Sequence, residues 1–195
     1  LAVAFLSLAI ASWGIGSVTS SLTQFFNFVG PTQLVSDIAY SLFYPFAFIA
    51  IPRAIAKGKK LKLIELLDAA IFGLGLCSII AALVLATFLQ DSGIGTFFSV
   101  LYTVCDIALV VIVLASAVIS ELTVRLILLI TGVLTFAITD FYFLFSEING
   151  DYQFGQISDL GWAIGIVFIT LSFWYLPSSN QRDAKIHPAL IAVSI

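Results

Sequence analysis

Arg53-Ala-Ile-Ala-Lys57-Gly-Lys59-Lys60-Leu-Lys62 decides the fold. This stretch holds five of the eight Lys and Arg residues of the chain, and an apolar run of membrane-spanning length lies on each side of it. An α-helix needs about 20 apolar residues to cross roughly 30 Å of hydrocarbon. Two such runs around a basic loop read as a membrane hairpin, with the loop on the side that retains positive charge.

Composition agrees. The 195 residues are 61% hydrophobic and 10% charged, whereas soluble domains carry about 25% charged residues. The chain therefore reads as an all-α integral membrane protein, a polytopic helical bundle. The net charge of −3 says little about partners, because distribution rather than total charge is informative here. The basic residues are not interleaved with aromatics in the manner of a surface that tracks phosphates, so nucleic acid is not an expected partner. Cys77 and Cys105 fall inside apolar runs, where cysteine behaves as a small hydrophobe.

Outward from the hinge, helices are expected at about 1–18, 33–56, 63–89, 95–119, 123–146 and 158–176, with a seventh beginning at 189–195. Thr19 to Gln24, followed by Phe25, Phe26 and Phe28, reads as an interfacial segment, and Gly30-Pro31 as a turn. Pro45 is expected to kink the second helix. Asn149-Gly150-Asp151 carries turn chemistry. All eight basic residues then fall on one side of the zigzag, in the loops at Arg53 to Lys62, Arg125 and Arg182 to Lys185, while Asp91, Glu147 and Asp151 occupy the other. The positive-inside rule makes the basic side cytoplasmic. This gives six complete crossings plus a seventh begun. Arg53, Lys57, Lys59, Lys60 and Lys62 would touch anionic headgroups. The chain begins at Leu1, contains no Met and ends in an apolar run, and so reads as an internal fragment of a longer protein. An aromatic helix end, a Gly-containing loop and a Ser-Asp helix start occur at Phe25 to Ile38 and recur at Phe141 to Leu160, the mark of a parallel internal repeat.

Ionisable residues inside apolar helices are costly and therefore mark candidate sites. Asp106 lies near the middle of the fourth helix, so it should face the bundle interior, to bind a cationic ligand, carry a proton or hydrogen-bond a neighbouring helix. Asp140 lies about two turns from the outer end of the fifth. Asp37 and Asp159 start helices on that same side, either as N-caps or as the rim of an outward pocket with Asp140, Tyr142 and Trp162. Glu65 and Asp68 read as partners of the adjacent lysines or as residues of the headgroup region. Gly14-Ile-Gly16 and Gly73-Leu-Gly75 read as points of close helix packing. The lone His187 has no clustered Cys or His, so neither a metal nor another cofactor is expected, and no phosphate loop or nucleophile elbow is present.

Several segments together resemble a known pattern: Ser36-Asp37-Ile-Ala-Tyr40-Ser-Leu-Phe-Tyr44-Pro45, the basic hinge, Leu66-Leu67-Asp68-Ala69-Ala70-Ile71, Leu101-Tyr102-x-x-x-Asp106, Thr139-Asp140-Phe141-Tyr142, and Gly150-Asp-Tyr152-x-x-Gly155-Gln-Ile-Ser158-Asp159-Leu160-Gly-Trp162. Over about residues 10–177 the chain resembles the multi-helix membrane sensory region found upstream of GGDEF and EAL domains in bacterial cyclic-di-GMP signalling proteins, and of some histidine kinases. Thr103 departs from it, standing where that pattern often has proline. The resemblance implies a non-catalytic sensing and anchoring module. It also implies that a diguanylate cyclase or phosphodiesterase domain lies beyond Ile195, and it leaves room for a homodimer formed through the parent chain. A small-solute or ion transporter using the intramembrane aspartates is the alternative.

Overall fold

The computed structural model describes residues 2–26, 31–55, 94–119, 122–174 and 185–186. The expected helices at 63–89 and 189–195 lie outside the described residues. So do the hinge beyond Ile55, with Lys57, Lys59, Lys60 and Lys62, and likewise Glu65, Asp68, Gly73, Gly75, Cys77, Asp91, Arg182 and His187. Five helices are described: α1 (Ala2–Phe26), α2 (Thr32–Ile55), α3 (Ile94–Ile119), α4 (Val124–Asn149) and α5 (Leu160–Trp174), the last preceded by a 3-10 turn at Ile157–Asp159. Each of the five, α5 together with its preceding turn, provides a segment long and apolar enough to cross a membrane. The chain is an all-α membrane bundle. Its only described extended pair is β1 (Leu122–Thr123), antiparallel to β2 (Lys185–Ile186), which ties the α3–α4 turn to the segment after α5.

The first helix is longer than expected, and its hydroxyls give the reason. Thr19, Ser21 and Thr23 donate to the carbonyls of Ile15, Ser17 and Thr19 at 2.7–3.0 Å. Bonded back to their own helix in this way, they need no water. Two of them also join α1 to α2: Thr23 Oγ1 donates to Thr32 Oγ1 at 2.6 Å, and the Thr19 and Ser36 hydroxyls share a bond of 2.8 Å. Small-residue contact completes the hairpin. A Cβ on Gly16 would lie 2.7 Å from the Tyr40 ring, whereas one on Gly14 would meet nothing within 4 Å.

α2 begins at Thr32, immediately after Pro31, whose missing N–H costs nothing at a helix start. Asp37 is therefore in the second turn and is not an N-cap; its carboxyl accepts from Gln33 Nε2 at 3.1 Å. The helix remains helical through Pro45 and Pro52. α3 is likewise continuous through Thr103, whose hydroxyl bonds back to Ser99 O at 3.1 Å. Thr123 caps α4 by accepting from Leu126 N at 3.2 Å. Arg125, counted with the basic loops although the helix is expected from about 123, is the second residue of α4 and only 8% exposed. At the far end of α4, Gly150 (φ 73°) donates to Glu147 O while Asp151 N reaches Ser146 O. This is a Schellman closure, which only a residue tolerant of positive φ accepts without strain.

Helix directions follow from the contacts. α1 and α2 are antiparallel, with Thr23 beside Thr32 and Phe5 beside Phe46. α4 and α5 are antiparallel, with Thr139 against Gly161 and Gly132 against Gly165 and Ile169. α3 and α4 are antiparallel, since Ser99 Oγ donates to Glu147 Oε2 at 2.5 Å. α2 and α3 run the same way: Tyr102 O–H reaches Asp37 O at 3.0 Å, while further along α2 Tyr44 stacks on Tyr102 and faces Asp106. Phe25 meets Phe154 edge to face at 5.5 Å, so the α1–α2 and α4–α5 turns share one end of the bundle. Arg53, stacked over Phe5 at 5.9 Å, marks the opposite end.

Candidate functional site

A polar centre lies inside this bundle, where α2, α3, α4 and α5 meet. Asp140 of α4 is 6% exposed and has a donor on each carboxyl oxygen. Tyr44 O–H of α2 donates to Oδ2 at 2.8 Å, and Trp162 Nε1–H of α5 donates to Oδ1 at 2.5 Å. Asp106 of α3, 2% exposed, meets both the Asp140 carboxyl and the Tyr44 hydroxyl. Its Oδ2 is buried without a hydrogen-bond partner.

Local sequence explains how each group arrives there. Tyr102 and Asp106 are four apart and share a face of α3. Asp37, Tyr40 and Tyr44 form the corresponding stripe on α2. The approach of α5 depends on missing side chains: a Cβ on Gly161 would collide with Thr139 Oγ1, and one on Gly165 would lie 3.0 Å from Gly132 O. Gly161 and Gly165 are thus a small-xxx-small pair that lets two backbones touch, and Trp162, next to the first of them, is carried onto Asp140.

Aromatic rings surround the centre. Tyr44 stacks on Tyr102 at 6.1 Å, Tyr102 meets Tyr40 edge to face at 6.2 Å, and Tyr40 meets Trp13 at 6.2 Å. On the α5 side, Trp162 contacts Phe143 at 5.7 Å and Phe143 contacts Tyr152 at 4.7 Å. Tyr152 O–H lies 3.4 Å from Asp159 Oδ2, which also accepts Gly155 N–H at 2.8 Å. Asp159 therefore stands where an N-cap would, yet its bonds brace the preceding loop, in which Gly155 holds φ 87°. Burial, and after it the Asp159 carboxylate, push the Tyr152 phenol above the usual tyrosine range.

Of the six residues expected to form the site, Asp106, Asp140 and Trp162 come together. Asp37 reaches them only through Tyr102, which bonds its backbone carbonyl, and Asp159 only through Tyr152 and Phe143. Tyr142 is 49% exposed and turned away, because residues two apart on a helix differ by about 200°. The member that sequence reasoning omitted is Tyr44. The signal was its spacing: it follows Tyr40 by four residues and Asp37 by seven, which places all three on one stripe. Among the described residues no group of three or more His, Cys, Asp or Glu is placed to hold a metal ion. Comparison with protein families, with characterised proteins and with solved structures finds no match to this chain.

Proposed function

We propose that this chain is the membrane-embedded sensory and anchoring module of a bacterial signal-transduction protein, relaying to a cytoplasmic output domain that follows it. One observation carries the reading. The buried Asp106–Asp140–Tyr44–Trp162 centre draws on four helices at one point, so a change of occupancy or charge there is felt by all four at once. A ligand shifts a conformational equilibrium only through such differential contacts. The resemblance to sensory regions upstream of GGDEF and EAL domains adds the output, a diguanylate cyclase or phosphodiesterase activity that this segment does not itself perform.

The proposal includes six crossings with a seventh begun. It is supported by the common direction of α2 and α3, which is the direction that the crossing expected at about 63–89 would give them. The end bearing Arg53 faces the cytoplasm of a bacterial inner membrane, by the positive-inside rule, with the hinge on anionic headgroups. The test has two parts. The reading frame downstream of Ile195 should encode a signalling domain; a stop codon soon after, with no such domain, removes the proposal. In the full protein, Asp140→Asn should change cellular cyclic-di-GMP several-fold, and an unchanged level with normal expression removes the centre from signalling.

A transporter is the second reading, favoured by the unpartnered Asp106 oxygen within a membrane helix. Flux into proteoliposomes, abolished by Asp106→Asn, would support it; flux no higher than in empty vesicles excludes it.

A further inference from the structure

We propose that the Asp106–Asp140 pair is a binding site for a single exchangeable proton at the centre of the bundle. This deepens the reading of the same centre and stands whether or not an output domain follows.

The hydrogen bonds of the two carboxyls divide them into unlike partners. Asp140 receives an O–H and an N–H, one on each oxygen, the surroundings of an acceptor-only carboxylate. Asp106 touches that carboxylate, and two carboxyl groups hydrogen-bond only when one supplies a proton. Asp106 is the member that supplies it. As an acid it donates one O–H toward Asp140 and keeps a carbonyl oxygen, Oδ2, which is the buried atom without a partner. A neutral carbonyl left unpartnered costs far less than one oxygen of a buried anion.

The surrounding groups point the same way. Asp37, Tyr40 and Tyr44 from α2, Tyr102 and Cys105 from α3, and Trp162 from α5 are the titratable or hydrogen-bonding groups that face the pair or its ring shell. None of them is a cation, so among the described residues only a proton relieves two carboxyls in contact. A metal ion fits less well, because both Asp140 oxygens already take donors that a cation would have to displace. Release of the proton breaks the Asp106 O–H bond, passes the proton to water, and leaves two carboxylates side by side whose repulsion acts on α3 and α4.

The test is infrared spectroscopy of the 195-residue chain in lipid nanodiscs. At neutral pH the protein should show a protonated-carboxyl C=O band that shifts in D2O. Asp106→Asn should remove most of that band, while Asp140→Asn and Tyr44→Phe should each keep it at a displaced frequency. A wild-type protein with no such band overturns the proposal, as does a band that survives Asp106→Asn or one that Asp140→Asn leaves unmoved. If neither Asn variant folds, Tyr44→Phe decides: a displaced band supports the site, and an unmoved one overturns it. The reading frame beyond Ile195 has no bearing on this result, so failure here is distinct from failure of the signalling role.

Discussion

Asp140 depends on two donors, and removing either leaves a buried oxygen without a partner. Such an orphan costs about 1–3 kcal/mol. Trp162→Phe and Tyr44→Phe should therefore each lower stability by about that amount, measured by denaturant or thermal unfolding in detergent with circular dichroism. Tyr142→Phe should stay within about 0.5 kcal/mol, as exposed positions usually do. If Tyr142→Phe proved as costly as Tyr44→Phe, the centre would be misassigned. Tyr152 gives a second test at this scale. Its phenol is held above the usual range by burial and by Asp159, so the folded chain keeps that proton more tightly than the unfolded chain does. Its contribution is complete below about pH 10, the tyrosine reference value, and is lost as pH rises beyond it. Tyr152→Phe should therefore lose less stability than the parent as pH rises from about 10 to about 12. Asp106 and Asp140 were legible from sequence because a carboxyl inside an apolar run has few affordable positions. Tyr44 was not, since tyrosine is common at bilayer interfaces and nothing in its own segment tells a belt residue from a donor to a partner on α4.

Elements are held together here by what glycine lacks. A Cβ at Gly132 would lie 2.8 Å from the Ile169 backbone nitrogen and 2.9 Å from Gly165 O, and backbone atoms do not yield as side-chain tips do. Gly132→Ala should separate α4 from α5 and cost about 1–3 kcal/mol, the usual range for overpacking. Gly14→Ala should be neutral or stabilising by up to about 1 kcal/mol, because open space surrounds Gly14 and alanine is the better helix former. Unfolding midpoints of the two variants check both expectations. The core of each expected helix was readable from its apolar run wherever residues are described. The helix ends were not: Thr19 to Gln24 reads as an interfacial segment by polarity, yet it lies within α1, its hydroxyls satisfied by 2.7–3.0 Å bonds back to Ile15, Ser17 and Thr19. Gly16 met the packing expectation while Gly14 did not, a distinction that depends on where Tyr40 lies on α2.

At the scale of the whole molecule, Phe25 on Phe154 brings two hairpin turns to one end, and the stacking of Arg53 on Phe5 lies at the other. Cysteine labelling tests this arrangement. With Cys77 and Cys105 replaced by Ser, Gln24→Cys and Asp151→Cys should react with an impermeant maleimide from the same side of a membrane, and Arg53→Cys only from the opposite side. Reaction of Gln24→Cys and Asp151→Cys from different sides would overturn the arrangement. The alternation of basic and acidic loops made this legible before any contact was known. The joining of Asp106 to Asp140 was not legible, because it depends on which faces of α3 and α4 pack together, and periodicity carries no information on helix neighbours. The same joining has a consequence for biosynthesis. Tyr44 enters the membrane first, Asp106 second, Asp140 third and Trp162 last, so α3 is inserted with a carboxyl costing about 2.5–3.5 kcal/mol near its middle. Of the other groups of the centre, only Tyr44 is then in place, and Asp140 and Trp162 follow. A nascent chain halted before α5 would hold both aspartates without the indole donor, leaving a membrane quality-control protease a physical difference by which to tell unfinished chains from complete ones.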